Sequence, residues 1–404
     1  MTFEFLLAFA MLVVASFGHL GMWIALYNRI NATGLKRTTI KRIEKAIVLA
    51  CGIIPLLLLL IELNQHGLVG VLAGLFGGAS AWSWLTIAYS VLAGLLGIVL
   101  APFWIMDRPH FAIARDRYQV TSAEDLNPLK ETVKNRRLYL RGRSFRKMSK
   151  LPGNQIVSLQ RNCKRLKFKN LPNDIEGLRI AHLSDIHLTG QLSNAFYRLA
   201  TDWIAEQRPD MIILSGDILD NEQSLHQIQP VFDGLNAPLG MYFVLGNHDR
   251  RLTDPTMVCR KLCELGWVDL GKEQAMRQHQ QTTLRLIGNE QPWFQRNPSP
   301  YKFEPGRTSP GNEWTIGVSH SPDQFAWGIE NRCQLMLCGH THGGQIRLPI
   351  VGPIVAPSWY GTRYASGVFE KNETLMHVSR GLSGVHPFRW GCLPEVSVLE
   401  LALL

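Results

Sequence analysis

The chain has no CxxC pair, and its seven cysteines, at 51, 163, 259, 263, 333, 338 and 392, are scattered over 404 residues. An odd, dispersed set excludes a disulfide framework and a structural zinc knuckle and suits a reducing compartment. Cys259 and Cys263 can share a helix face, but they read as small buried hydrophobes. Low complexity is missing too. With 46% apolar and 18% charged residues, the chain is neither disordered nor fibrous, and its length exceeds one ordinary domain. Nor is there a basic surplus across the whole chain. The net charge is +10, yet residues 1–170 hold 23 Lys and Arg against 8 Asp and Glu, and residues 171–404 hold 19 against 24, a balance of −5. A nucleic-acid surface spread over the protein therefore loses its main support.

What the front does contain is apolar sequence. Residues 5–27 and 46–63 are almost continuously apolar, the second broken only by Pro55 and Glu62. Each is close to the roughly 20 helical residues that cross a hydrocarbon core. The first lacks the basic start and small-residue cleavage pattern of a signal peptide, so it reads as a span. A third tract, 67–106, is too long for one span and short for two with a turn. Its Gly-rich part, 67–80, reads as loop or re-entrant structure, and 81–105 as the third span, with Trp82, Trp84 and Trp104 at interfacial positions. His19 reads as a helix contact.

Cations set the expected orientation. Lys36, Arg37, Lys41, Arg42 and Lys45 lie in the first connection, the stretch after residue 105 is denser still, and 64–80 has no Lys or Arg. The positive-inside rule then places the amino terminus outside and everything beyond 105 in the cytoplasm. A four-span arrangement would export the most basic flank and ranks lower. The expected organisation is a transmembrane region of about three helices at 1–106, a basic juxtamembrane linker at 107–155 near anionic headgroups, and a catalytic domain at 156–404.

From about residue 156 the pattern becomes α/β, with short apolar runs alternating with helix-like stretches. RIAHLS runs into Asp185 and His187, MIILSG into Asp217 and Asp220, and MYFVLG into Asn247, His248 and Asp249. WTIGVS runs into His320, and CQLMLCG into His340 and His342. The carboxyl ends of strands in such sheets open onto one edge, so side chains far apart in sequence converge there. Two carboxylates, four imidazoles and one amide form a mixed nitrogen and oxygen set suited to manganese, iron or zinc. That is more than one metal needs. Two ions about 3.5–4 Å apart are the arrangement that serves phosphoryl displacement.

This motif set resembles that of the calcineurin-like metallophosphoesterases over roughly 169–404. GHTHGGQIRLP at 339–349 and SRGLSGVHPFRWGCLPEV at 379–396 resemble a membrane-associated bacterial branch that includes enzymes cleaving UDP-2,3-diacylglucosamine. The resemblance implies a four-layer α/β/β/α sandwich of two mixed sheets. It implies one divalent or transition metal ion on Asp185, His187, Asp217 and His342 and a second on Asp217, Asn247, His320 and His340, with Asp217 bridging. It further implies a metal-bridging hydroxide as nucleophile and His248 as the group that protonates the leaving oxygen, its ring oriented by Asp249. Gly216, Gly246 and Gly339 precede these residues as turn formers.

The expected function is a membrane-anchored two-metal phosphohydrolase at the cytoplasmic face of a bacterial inner membrane. It would cut a phosphodiester, phosphomonoester or pyrophosphate bond in a lipid-linked or amphiphilic phosphate, with membrane lipids as partners and Arg389 helping to offset charge. Two alternatives stand beside it. A non-catalytic sensor or scaffold with structural metals is disfavoured by the intact His248-Asp249 pair, and a nuclease by the −5 balance. The Pro-rich 291–311, beside Trp293 and Phe294, reads equally as substrate lid or surface loop. His182 reads as core, His226 and His377 have no motif context, and His386 lies where a substrate could approach.

Overall fold

The computed structural model describes residues 3–77, 82–128, 138–296, 313–384 and 386–404. The chain divides into two compact units, Met1–Phe111 and Ala112–Leu404.

The first unit contains helices α1 (Phe3–Asn31), α2 (Arg37–Gly77) and α3 (Trp84–Met106). Phe9–Asn31, Arg37–Val71 and Trp84–Met106 are each long and apolar enough to cross a membrane. Val48, Leu57 and Ile98 stand among many large apolar side chains left exposed, a surface suited to lipid rather than to water. This is a membrane protein. Gly18 lets α1 and α3 approach closely, since a Cβ there would lie 1.8 Å from the Ala93 carbonyl oxygen. His19 ties all three helices: Nδ1 meets Tyr89 Oη at 2.5 Å and Nε2 the Cys51 carbonyl at 2.9 Å. The expected loop at 67–80 is corrected in part. Gly67 breaks the helix at φ 64°, ψ 179°, and the apolar sequence after it resumes as helix to Gly77. Residues 78–81 lie outside the described residues.

The second unit is built on two mixed sheets. The larger orders its strands β1-β2-β15-β3-β4-β5-β6, with β1 Tyr118–Leu126, β2 Leu159–Phe168, β3 Arg179–Leu183, β4 Met211–Ser215, β5 Met241–Val244, β6 Trp267–Asp269 and β15 Glu395–Leu403. The smaller orders β13-β14-β10-β9-β8-β7, with β7 Ala275–His279, β8 Thr282–Asn289, β9 Glu313–Ser319, β10 Leu335–Cys338, β13 Gly367–Lys371 and β14 Thr374–Val378. A hairpin of β11 (Arg347–Leu348) and β12 (Gly352–Pro353) stands apart.

Alternation along the strands makes the layers. Ile180, Met211 and Ile213 face Leu286, Ile316, Leu337 and Leu375 between the sheets, while Ala181, Leu183, Ile212 and Leu214 face Phe196, Ala200 and Ile204 of the helix Asn194–Gln207. On the far side, Met336, Phe369, Met376 and Val378 pack with Phe325 of the helix Phe325–Glu330. The result is the α/β/β/α layering that the resemblance implied. The segment 107–155, expected as a linker, contributes structure of its own. Its residues 118–126 form the edge strand β1, antiparallel to β2, and Leu140 bridges Leu192. Nothing in the sequence marks this strand, because it is exposed over most of its length and carries no apolar alternation.

Candidate metal centre

Parallel pairing of β3, β4 and β5 in one sheet, and of β9 and β10 in the other, brings their carboxyl ends to one edge. The residues that follow turn sharply inward. Asp185 (φ 51°), His187 (47°), Asp217 (53°), His340 (71°) and His342 (50°) all hold left-handed backbone. Non-glycine residues occupy that region at a cost that concentrates at functional sites. Gly246 is required by close approach, since a Cβ there would sit 2.2 Å from Asp217 Oδ1.

Among the described residues two donor groups share Asp217, with Asp185, His187 and His342 completing one and His320 and His340 the other, and a third joins His187, Asp220 and His248; donor atoms lie within 4.8 Å of one another in each. His342 Nε2 lies 3.4 Å from Asp185 Oδ1, and His187 Nε2 lies 3.6 Å from Asp217 Oδ2 and 3.2 Å from His342 Nε2. His320 Nε2 lies 3.3 Å from Asp217 Oδ2 and 3.2 Å from Asn247 Oδ1, which brings the amide into the second group. All seven expected ligands thus meet at one edge.

The donor set fits a pair of cations. The Nδ1 atoms of His187, His320 and His342 rest against Asp220 (3.1 Å), the Ser215 carbonyl (2.7 Å) and the Ser383 carbonyl (3.1 Å). An acceptor at Nδ1 keeps the proton there and leaves the Nε2 lone pair turned into the cluster. Buried His340 Nε2 has no hydrogen-bond partner among the described residues. Burial, with the neighbouring His320 and His187 rings, holds His340 and His342 well below the ordinary imidazole range. Burial would also lower His320, but the Asp217 carboxylate outweighs it and the ring is pushed up to about 9. Burial and the like charge of Asp217 raise Asp185, while His320 and His248 overcome burial to hold Asp217 well below its usual value. Carboxylates and imidazoles crowded this way call for positive charge between them.

His248 stands beside the cluster, Nε2 3.9 Å from Asp217 Oδ2. The expectation for Asp249 is corrected here. Asp249 accepts the backbone N–H groups of Gly246 (2.8 Å), Ile218 (3.1 Å) and Leu219 (2.9 Å), so its carboxylate braces the turn. Burial and nearby Asp217 push it up to about 7. The carboxylate against His248 Nδ1 belongs to Asp220, and Arg251 Nη1 meets the same nitrogen at 2.8 Å. Asp220 lies three residues past Asp217 on the same turn, and that spacing was the available signal. Adjacency in sequence favoured Asp249, but the chain carries its side chain away from the His248 ring.

Other expected residues divide. Arg389 is fully buried behind His342, donating Nη2 to the Ser383 carbonyl. His386 is exposed. Trp293 packs over the second group, its ring centroid 4.7 Å from that of His340 and 5.3 Å from that of His320. Residues 297–312, most of the Pro-rich stretch, lie outside the described residues.

Comparison with known proteins identifies the family. The calcineurin-like phosphoesterase family model matches residues 178–344. An uncharacterized metallophosphoesterase of Bacillus subtilis, YkuE, is 31% identical over 242 residues, spanning 58% of this chain and 83% of that protein. Phosphodiesterase YaeI of Escherichia coli is 30% identical over 229 residues, 55% of this chain and 82% of its own. UDP-2,3-diacylglucosamine pyrophosphatase LpxG of Chlamydia muridarum is 24% identical over 286 residues, 56% of this chain and 84% of its own. The chain belongs to the calcineurin-like metallophosphoesterase family and is a metal-dependent phosphoester hydrolase.

Proposed function

We propose that the protein hydrolyses a lipid-linked or amphiphilic phosphate at the cytoplasmic face of a bacterial inner membrane, anchored by three spans. The observation that carries the chemistry is the double donor group sharing Asp217, with His248 at its edge. Asp185, His187, Asp217 and His342 would hold one cation, and Asp217, Asn247, His320 and His340 the other. Manganese, iron and zinc all suit these donors. When bound, such a pair supplies Lewis acidity to the phosphoryl oxygens and to the attacking water.

The chain's own residues do the rest. With the Nδ1 proton of His248 donated to Asp220, Nε2 is the ring atom left to exchange a proton with a departing oxygen. Asp220 also holds His187 Nδ1 and thereby couples the proton-transferring ring to a ligand ring. His187 and Asp217 are buried while Asp220, Asn247 and His342 stay partly exposed, so water and a substrate phosphate can reach the cluster. The substrate class draws on two supports, the apolar helices in the same chain and the activity for which the relative LpxG is named.

The test is incubation of purified full-length protein with a membrane lipid extract and with UDP-2,3-diacylglucosamine, with manganese or with chelator, followed by mass spectrometry. Chelator-sensitive loss of one species is expected. Turnover of soluble phosphodiesters alone, with every lipid species intact, would overturn the substrate class.

A further inference from the structure

The rim of the metal centre exposes side chains that water should not meet. The β11–β12 hairpin begins five residues after His342, fastened by Arg347 Nε donating to the Gly343 carbonyl at 2.7 Å. At its tip Ile350 is fully exposed and holds φ +64°. A β-branched residue rarely adopts left-handed backbone, and here the strain aims an isoleucine outward. Ile346 bridges Trp390, whose carbonyl accepts Arg347 N–H at 2.8 Å, and both side chains are exposed. Exposed Leu151 precedes Gly153, where a Cβ would lie 3.0 Å from the Trp390 ring.

The charged residues within the segments that build this rim have one sign. Arg143, Lys147 and Lys150 are exposed on and after the helix Arg143–Met148. Asn154 Nδ2 ties that helix to the Trp390 segment by donating to the carbonyls of Met148 (2.9 Å) and Pro387 (2.8 Å). Residues 138–155, 343–369 and 374–394 contain no Asp or Glu. Aliphatic and indole side chains flanked by lysine and arginine, with acids excluded, are the composition that binds the headgroup zone of an anionic bilayer. A chain that also carries helices long enough to cross a membrane keeps lipid at high effective concentration.

We propose that the β11–β12 hairpin, Trp390 and the 141–151 basic segment form a lipid-docking surface in which Ile350 inserts at the headgroup–acyl boundary of an anionic bilayer. Docking stands apart from the substrate reading. Its consequence rests on that reading: the mouth of the metal centre meets phosphates that never leave the membrane.

The experiment uses the full-length protein in nanodiscs of phosphatidylglycerol and phosphatidylethanolamine. Ile350→Cys, in a Cys263→Ser background that removes the exposed native thiol, is labelled with an environment-sensitive fluorophore and quenched by nitroxide lipids. Lys371→Cys, exposed at the start of the β13–β14 turn and at the opposite sheet edge, is the reference. Quenching at 350 several-fold stronger than at 371 is expected, and charge reversal of Arg143, Lys147 and Lys150 to Glu should reduce it at least twofold. Equal quenching at the two positions overturns the proposal, as does a label shielded from aqueous iodide yet untouched by nitroxide lipid, which would mean a protein partner. Quenching unchanged by charge reversal overturns the anionic component. Hydrolysis of a soluble phosphodiester by the unmodified protein is followed separately, so failure of the enzymatic reading leaves the docking result distinguishable.

Discussion

His182 and His377 meet Nδ1 to Nδ1 at 2.8 Å across the space between the two sheets. His377 Nε2 lies 2.9 Å from Lys164 Nζ, and His182 Nε2 lies 2.9 Å from Ser215 Oγ. Lys164 pairs with Glu395 at 3.4 Å, and Glu395 with Arg380 at 2.8 Å. A proton donated in turn by Lys164, His377 and His182 satisfies the chain in one direction, with both rings neutral. It ends at Ser215, whose carbonyl receives His320, so the polar seam buttresses the second donor group.

The first prediction concerns acid. Burial lowers His182 to about 3 and, with the Lys164 ammonium, holds His377 well below the ordinary range. The unfolded chain therefore takes up protons near pH 6.5 that the folded chain refuses, and the stability of the neutral pair, complete above that pH, is lost as pH falls towards 3. Each ring contributes up to about 1.4 kcal/mol per pH unit in that window. Denaturant midpoints measured from pH 7 to 4.5 should fall less steeply in the His182→Asn/His377→Asn double variant. Parallel slopes would show that the rings titrate alike in both states.

A second prediction separates two neighbouring carboxylates. Asp220→Asn should leave the fold intact and lower kcat by about 10–100-fold, the usual cost of losing a partner that orients ligand and acid rings. Asp249→Asn turns an amide N–H towards backbone donors and should cost about 1–3 kcal/mol of stability. Comparing kcat with thermal midpoint in the two variants checks the assignment; an Asp249→Asn that is fully stable and selectively slow would restore Asp249 as the orienting group.

The site and the fold differed in how legible they were. Every expected ligand follows a short apolar run, because parallel strands buried on both faces are written as such runs and end where the backbone must turn. Asp220 was hidden because orientation depends on where a loop carries a side chain, which adjacency does not encode. The His182–His377 contact joins residues 195 positions apart, and only sheet-on-sheet packing brings them together. Strand β1 and the helix after Gly67 were illegible for opposite reasons, one too exposed to show a pattern and the other too glycine-rich to read as helical.

Metal content provides the third prediction. Asp217→Asn, at the carboxylate common to both groups, should abolish chelator-sensitive hydrolysis while the protein stays in the membrane. His340→Ala should retain one ion of two, since the Asp185, His187 and His342 group is untouched. Elemental analysis of the reconstituted protein checks both, and two ions retained by His340→Ala would remove His340 from the ligand set.

The last prediction uses two glycines that differ in kind. Gly339 has ordinary backbone, but a Cβ there would fall 1.7 Å from Ser184 Oγ and 2.4 Å from Asp185 Oδ2. Ser184 Oγ donates to that same carboxylate at 2.6 Å, so Gly339→Ala must push Asp185 off its position. A misplacement of about 1 Å at a reacting centre costs on the order of 100-fold in rate. Gly177 is the converse, with φ +82° and nothing within 4 Å of the place a Cβ would take. Gly177→Ala should cost about 1 kcal/mol of stability from backbone strain and leave kcat unchanged. Measuring kcat, metal content and unfolding midpoint for both variants separates crowding at the metal edge from strain elsewhere. A Gly339→Ala enzyme with full metal content and normal turnover would mean that Asp185 does not need the place the fold gives it.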